Sequence, residues 1–174
     1  MIVLEFTQPS PGEPWRAHDL CVYLDSLADL RRHSAGVRQQ LVAQARSYVG
    51  VASYEFRNEV SLPPLLVNCH TYLWWVYQSL GIYMPWHFLE QLQWGRLVPP
   101  RKAQPGDFVY RPGQQWNLQV ADESGHTYRV GHVGLLTECG TVIHASQPAG
   151  TVIEVPTKRF FDTSPYHAFC RMPL

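Results

Sequence analysis

The spacing of apolar positions predicts helices in the first half of the chain. Leucines recur at helical spacing over 16–31, and an apolar stripe with the same spacing runs over 34–48. The clearest stripe covers 69–80, and Asn68 stands before it as a helix N-cap. A further short helix is indicated over 87–93. The first half of the chain therefore supplies helices with one apolar face, which must be buried against another layer.

The second half of the chain has the pattern of short strands. From residue 105 onward, brief apolar runs alternate with Gly, Pro, Asp and Ser, as is typical of strands joined by turns. These runs cover 108–110, 118–120, 128–136, 141–145, 152–155 and 169–172. The order predicts an α+β fold with N-terminal helices packed on a C-terminal antiparallel sheet. We expect a single globular unit over 34–174, with residues 1–33 as an N-terminal extension packed on it.

Composition and charge exclude several classes of protein. The 174 residues are 45% hydrophobic and only 16% charged, which excludes intrinsic disorder. Lys and Arg balance Asp and Glu at 14 each, so we expect neither a nucleic-acid nor a membrane partner. No signal peptide or transmembrane segment is visible, since the longest apolar block is far below the roughly 20 residues that span a bilayer. We expect a cytoplasmic protein or one exported by a non-standard route; a protein partner stays unknown.

Three residues suggest nucleophilic chemistry: Cys69, His132 and His144. Cys69 is expected at the start of a helix, where unpaired amides and the helix dipole favour the thiolate. A cysteine nucleophile needs a base, normally a histidine, and a third group that orients this base. His132 begins one predicted strand run and His144 lies 12 residues later in the next. A hairpin with its loop at 137–139 would place the two histidines directly opposite each other.

Two other interpretations of these residues stay open. Taken singly, a cysteine on an apolar helix stripe and a histidine in a strand are more often structural than catalytic. Cys69, His70, His132 and His144 could also form a zinc site, although adjacent Cys and His ligands are an unusual spacing for structural zinc. We expect His70 to face solvent, because it lies off the apolar stripe. Asp107 is expected to be a turn residue rather than an acid.

Several short segments together resemble those of one known family. They are NCHT at 68–71, GIYMPW at 81–86, Gln91 with Gly95, PGDFVY at 105–110, HVGL at 132–135 and HA at 144–145. In order and spacing they resemble the NlpC-type cysteine peptidases, papain-like enzymes that cut peptidoglycan stem peptides. The resemblance covers roughly residues 35–157.

The resemblance implies a role for each matching position. Cys69 resembles the nucleophile, His132 the general base and His144 the residue that orients His132. Tyr54 is the candidate for the family's tyrosine near the oxyanion site. The expected activity is hydrolysis of an amide bond in a peptide or muropeptide, without a cofactor or a metal.

The sequence also departs from the family pattern. Asn68 and His70 replace the Asp and Ser that flank the family cysteine, and Trp86 replaces an Arg. Residues 111–130 are long for the family and are expected to form their own hairpin that shapes substrate choice. These departures leave two alternatives: an amidase or acyltransferase with a substrate outside the cell wall, or a catalytically silent binding domain.

Overall fold

The computed structural model describes most of the chain beyond the N-terminal extension. The described residues are 34–56, 65–113, 117–121, 125–161 and 167–174. The helix predicted over 16–31, and the packing of the extension 1–33, lie outside these ranges.

The predicted helices and strands of the described residues are present, and the structure adds three short strands among the helices and a short helix near the C-terminal end. The described α-helices are α1 (Ser34–Arg46), α2 (Cys69–Ser79), α3 (Phe88–Trp94) and α4 (Thr157–Phe161). The strands are β1 (Ser53–Tyr54), β2 (Leu66–Val67), β3 (Arg96–Val98), β4 (Phe108–Arg111), β5 (Leu118–Ala121), β6 (Thr127–Val130), β7 (His132–Leu136), β8 (Thr141–Ser146), β9 (Thr151–Pro156) and β10 (Ala168–Arg171). None of the described helices is both long and apolar enough to cross a membrane.

Eight strands form one sheet in the order β2-β1-β9-β8-β7-β4-β10-β3. All neighbouring strands are antiparallel except β1 and β2, which are parallel. The predicted α+β fold is therefore confirmed. Successive residues of a strand point to opposite faces, so Phe108 and Tyr110 join the core beneath α1 and α2. Val109 joins a smaller apolar cluster on the other face, together with Phe160 of α4.

The single strand predicted over 128–136 is divided at Gly131. The N–H of Gly131 donates to the carbonyl of Arg111 at 2.9 Å, and the chain changes sheets there. Strand β6 pairs with β5 in a separate two-stranded sheet, with Leu118 opposite Val130. This confirms the predicted hairpin within 111–130, although Arg111 itself belongs to β4 of the large sheet.

The register of the β7–β8 hairpin differs from the prediction. Leu136 pairs with Val142, and the N–H of Thr137 donates to the carbonyl of Thr141. The loop is therefore 138–140 rather than 137–139, because Gly140, at φ 69°, takes the left-handed position that ends a three-residue loop. A shift of one residue in the loop moves the pairing by two residues. His132 is consequently diagonal to His144 rather than opposite it, and Gly134 faces His144.

Gly134 is required at this position because there is no room for a side chain. A Cβ atom on Gly134 would lie 2.5 Å from Cγ1 of Val142 and 3.1 Å from Cβ of His144. Replacing Gly134 by alanine should therefore destabilise the fold by about 1–3 kcal/mol, as overpacking of a core does. Gly36 of α1 has nothing within 4 Å of a built Cβ, so Gly36→Ala should be neutral or stabilising by up to about 1 kcal/mol. Urea unfolding of both variants tests this, and equal stabilities would contradict it.

Two segments that carry the family resemblance are structural. Gln91 is fully buried and its amide donates to the carbonyls of His70 and Pro85, which ties α3 to the start of α2. Asp107 is also buried. Its carboxylate accepts from the Gln104 N–H and from the guanidinium of Arg171, and it forms a second ion pair with Arg38. Asp107 is thus the predicted turn residue.

Candidate active site

Helix α2 begins at Cys69 and is capped as the sequence predicts. The Asn68 side chain accepts from the N–H groups of His70 and Thr71, and the Thr71 hydroxyl accepts from the Asn68 N–H. This capping box fixes the first turn of the helix. The apolar face of α2 packs in the core, with Tyr72 fully buried. Cys69 is therefore held at a rigid helix N-terminus.

His132 and His144 form a direct hydrogen bond. The distance between His132 Nε2 and His144 Nδ1 is 2.9 Å, and the two rings are almost perpendicular. The contact exists despite the diagonal register, which is still within reach of long side chains across an antiparallel pair. The ring of Phe160 lies beside both histidines, edge-on to His144 and at a shallow tilt to His132. The histidine pair is thus fixed by a strand, a hairpin partner and a helix.

A cavity of about 670 Å³ brings the candidate residues together. Its described lining includes Tyr54, Cys69, His70, Arg111, His132 and His144. All four residues singled out from the sequence as catalytic or as part of the oxyanion site are in this set. Tyr54 lines the same cavity as the thiol, and its pKa is raised, mainly by burial and to a smaller extent by Cys69.

The expected low pKa of Cys69 is wrong. Burial raises the pKa of the Cys69 thiol to about 11. The amides of Val133 and His70 and the charge of Arg111 act in the opposite direction, but they are smaller effects. Cys69 is only 8% exposed, so loss of hydration outweighs the helix terminus. The resting thiol is therefore neutral at pH 7.

Three histidines of the cavity, His70, His132 and His144, are also neutral at pH 7. Burial lowers the pKa of His144 to about 4, and burial together with His144 holds the pKa of His132 well below its usual value. His70 does not face solvent as expected: it is 7% exposed and packs edge-on against Phe88. Its pKa falls to about 4, again mainly through burial. The reason is that α3 covers the face of α2 outside the apolar stripe, which the sequence pattern predicted to be exposed.

These pKa shifts predict a loss of stability in mild acid. Above pH 6.5 the histidines are neutral in both the folded and the unfolded chain. Between pH 6.5 and about 4 the unfolded chain binds protons that the folded chain cannot, so each of His70 and His144 should cost on the order of 3 kcal/mol by pH 4. Urea unfolding between pH 7 and 4.5 should show this decline, and His70→Gln should flatten it. His126, an exposed histidine, provides the control, and an unchanged slope in His70→Gln would argue against the buried neutral state.

Two site residues were missed by the sequence analysis. Arg111 ends β4 in register with His132, and its guanidinium carbon lies 5.3 Å from the ring centroid of Phe160. The signal for Arg111 was its position directly after the PGDFVY segment, but its role depends on the β4–β7 pairing. Phe160 lies in a five-residue helix that is too short to show a period.

The described residues contain no group of three or more His, Cys, Asp or Glu side chains placed to hold a metal ion. The four residues weighed as a zinc site from the sequence are thus not arranged as a ligand set.

Comparison with known proteins identifies the fold. No protein-family model matches the sequence, and no curated protein matches it. Solved structures do match, among them several NlpC/p60 domains. The NlpC/p60 domain of the peptidoglycan hydrolase SagA is 23% identical, with a TM-score of 0.55 over 77% of this chain and 97% of that chain. The chain therefore has the NlpC/p60 fold, as the sequence resemblance predicted.

Two structures from Mycobacterium tuberculosis show the range of this fold. The peptidoglycan hydrolase RipB is 17% identical with a TM-score of 0.54, and the match covers 95% of this chain and 92% of RipB. RipD is 14% identical with a TM-score of 0.54 over 78% of this chain and 96% of RipD, and it is described as a non-catalytic NlpC/p60 protein adapted to peptidoglycan binding. A Staphylococcus aureus protein of the NLP/P60 family is matched over 41% of its length. At these identities the likeness establishes the fold alone. Any activity of this chain has to be argued from the residues of its own cavity.

Proposed function

We propose that the protein is a cysteine hydrolase that cleaves an amide bond, with peptidoglycan stem peptides or related peptides as substrate. The observation that supports this most strongly is the 2.9 Å bond between His132 and His144 in the cavity that Cys69 lines. A nucleophile at a helix start, a base and a group that orients the base are the parts that thiol catalysis requires. The fold shared with peptidoglycan hydrolases supports the substrate class.

The hydrogen bond between the histidines determines which tautomer can act as base. For His132 to accept a proton at Nδ1, its Nε2 must carry a proton and donate to Nδ1 of His144. His144 then carries its own proton on Nε2. When His132 becomes positively charged, the lone pair of His144 Nδ1 stabilises it, as the third member of a triad does.

Because both groups are neutral at rest, catalysis begins with proton transfer. His132 takes the thiol proton as Cys69 Sγ attacks the carbonyl carbon, and the carbonyl oxygen becomes an oxyanion. The Cys69 N–H at the helix start and the Tyr54 hydroxyl are the proposed donors to this oxyanion. His132 then returns its proton to the leaving amine, which departs and leaves a thioester. A water molecule deprotonated by His132 attacks the thioester, releasing the acid and restoring the thiol.

The proposal is tested by incubating the purified protein with a purified muropeptide mixture and analysing the products by mass spectrometry. We expect pairs of fragments whose masses sum to that of a muropeptide plus one water, and none with Cys69→Ala. The bond cleaved would follow from the fragments. Unchanged muropeptides with the wild-type protein would contradict the cell-wall substrate.

A second candidate is a binding domain without catalysis. RipD shares the fold and is described as non-catalytic, and Asn68 and His70 here differ from the residues expected beside a family cysteine. This candidate predicts that muropeptides bind without being cleaved. Muropeptide binding is measured with the wild-type protein and with Cys69→Ala. If the protein is a hydrolase, the wild-type sample loses muropeptide over time; if it is a binding domain, both samples keep it.

A further inference from the structure

Apolar side chains from four separate segments line the cavity that contains the thiol: Phe56, Leu89, Leu118 and Pro148. Phe56 is 56% exposed and Leu89 is 45% exposed, and they are two of the four large apolar side chains that are exposed among the described residues. Single exposed apolar side chains need no explanation, but side chains that share one cavity mark a site for an apolar group.

The fold places Phe56 beside the segment that leads to the thiol. Strands β1 and β2 are parallel, with Tyr54 in register with Val67. The N–H of Glu55 continues this pairing and donates to the carbonyl of Val67 at 2.9 Å. The chain at Phe56 therefore runs alongside the two residues that lead from Val67 to Cys69.

Leu89 reaches the cavity from the first turn of α3. This helix is tied to the start of α2, because the amide of Gln91 donates to the carbonyl of His70 at 3.2 Å. His70 directly follows Cys69 in the chain, and its ring packs edge-on against Phe88. Leu89 is thus held on the side of the cavity where α2 begins.

Leu118 and Pro148 lie beside the elements that carry the two histidines. Leu118 is opposite Val130 in the β5–β6 hairpin, and His132 follows Val130 by two residues. Pro148 is exposed in the turn after β8, the strand that contains His144. Apolar side chains therefore flank the cavity on the side of the histidines as well as on the side of the thiol.

The described lining of the cavity presents little charge to an apolar group. None of its residues is Asp, Glu or Lys, and burial keeps His70, His132 and His144 neutral at pH 7. The permanent charge in this described lining is that of Arg111, whose guanidinium carbon lies 5.3 Å from the ring centroid of Phe160. An apolar group can therefore enter without removing water from a carboxylate or an ammonium group, which would be costly.

We propose that Phe56 and Leu89 form an apolar subsite beside Cys69, which selects peptides with a large apolar side chain next to the scissile amide. This inference rests on the proposed function, because it assigns a specificity to the same thiol. A molecule that reacts with Cys69 must enter the cavity and lie against its lining, so the substrate itself covers these exposed side chains. Removing the apolar surfaces of both from water favours binding.

Two alkylating reagents of nearly equal shape test the subsite. Iodoacetyl-leucinamide and iodoacetyl-asparaginamide carry the same reactive group, and both are uncharged; they differ in whether the branched end of the side chain is apolar or polar. The ratio of their rates at Cys69 cancels the reactivity of the thiol, so it reports recognition of the side chain. Peptide mapping by mass spectrometry separates Cys69 from the other three cysteines, and the chain unfolded in guanidinium chloride gives the reference ratio.

We expect the leucine-to-asparagine ratio at Cys69 to exceed the reference about tenfold, the factor that about 1.4 kcal/mol provides. Leu89→Asn and Phe56→Gln, both at exposed positions, should each lower the ratio, and the double variant should return it to the reference. Val51→Thr is the matched control, because it changes an exposed apolar side chain outside the described cavity lining, and it should leave the ratio unchanged. A wild-type ratio at or below the reference, or one that the double variant does not change, would overturn the subsite.

A second measurement needs no variant, in case the double variant does not fold. N-acetyl-leucinamide should slow the labelling of wild-type Cys69 by iodoacetamide, and N-acetyl-asparaginamide at the same concentration should not. Equal protection by the two compounds would refute the subsite. The proposed function fails in a different way: Cys69 would keep its preference for the leucine reagent, while neither muropeptides nor leucine-containing peptides would be cleaved.

Discussion

Cys69→Ala is expected to abolish amide hydrolysis, with a loss on the order of 10⁴-fold or more in the single-turnover rate. The reason is that no other described side chain of the cavity is a thiol, so the thioester pathway has no substitute nucleophile. Cleavage of the muropeptide identified by digestion, followed by mass spectrometry, gives the rate.

The matched control for this loss is Cys139→Ala. Cys139 is exposed in the β7–β8 loop, and its loss should leave the rate unchanged. Cys69→Ala should still fold, since the change removes one small buried group, and thermal unfolding checks this. If folded Cys69→Ala still cleaves the substrate at the wild-type rate, the nucleophile is not Cys69 and the account of the site is wrong.

The two histidines are expected to have unequal effects. His132→Ala should reduce the rate by about 10²–10⁴-fold, because the proton of a neutral thiol has no acceptor. His144→Gln should keep much of the activity, since the glutamine oxygen can still accept from His132 Nε2. His144→Ala should lose more, because the base is then free to rotate and to adopt the wrong tautomer.

The pH dependence gives a readout that a purely structural role would not produce. His132 must be unprotonated to act as base, and burial holds its pKa well below 6.5. The rate in the wild-type protein should therefore persist as pH falls below 6.5, for as long as the fold survives. Similar losses in His144→Gln and His144→Ala, with an unchanged pH profile, would show that His144 only fills space.

The sequence was sufficient to predict the parts of this site that depend on local pattern. The helical stripe and the capping Asn68 located Cys69 at the start of α2, and the turn between two strands brought His132 close to His144. The pairing of the histidines was foreseen although the register was not. A diagonal pair and a direct pair of side chains are both within reach across an antiparallel hairpin.

The parts that depend on tertiary packing could not be predicted in this way. His70 is buried because α3 covers it, and the high pKa of Cys69 follows from burial that competes with the helix dipole. Arg111 and Phe160 join the site through strand pairing and through a helix after β9, both distant in sequence from Cys69. Local periodicity contains no information on these contacts.

The central claim is that the acyl group passes through a thioester on Cys69, and trapping with hydroxylamine tests this most directly. Hydroxylamine competes with water for a thioester, so the muropeptide digestion is repeated with increasing hydroxylamine and the products are weighed by mass spectrometry. We predict that the peptide hydroxamate increases at the expense of the free acid, and that neither product forms with Cys69→Ala. Free acid as the sole product at every hydroxylamine concentration would mean that water attacks the amide directly, which contradicts the account.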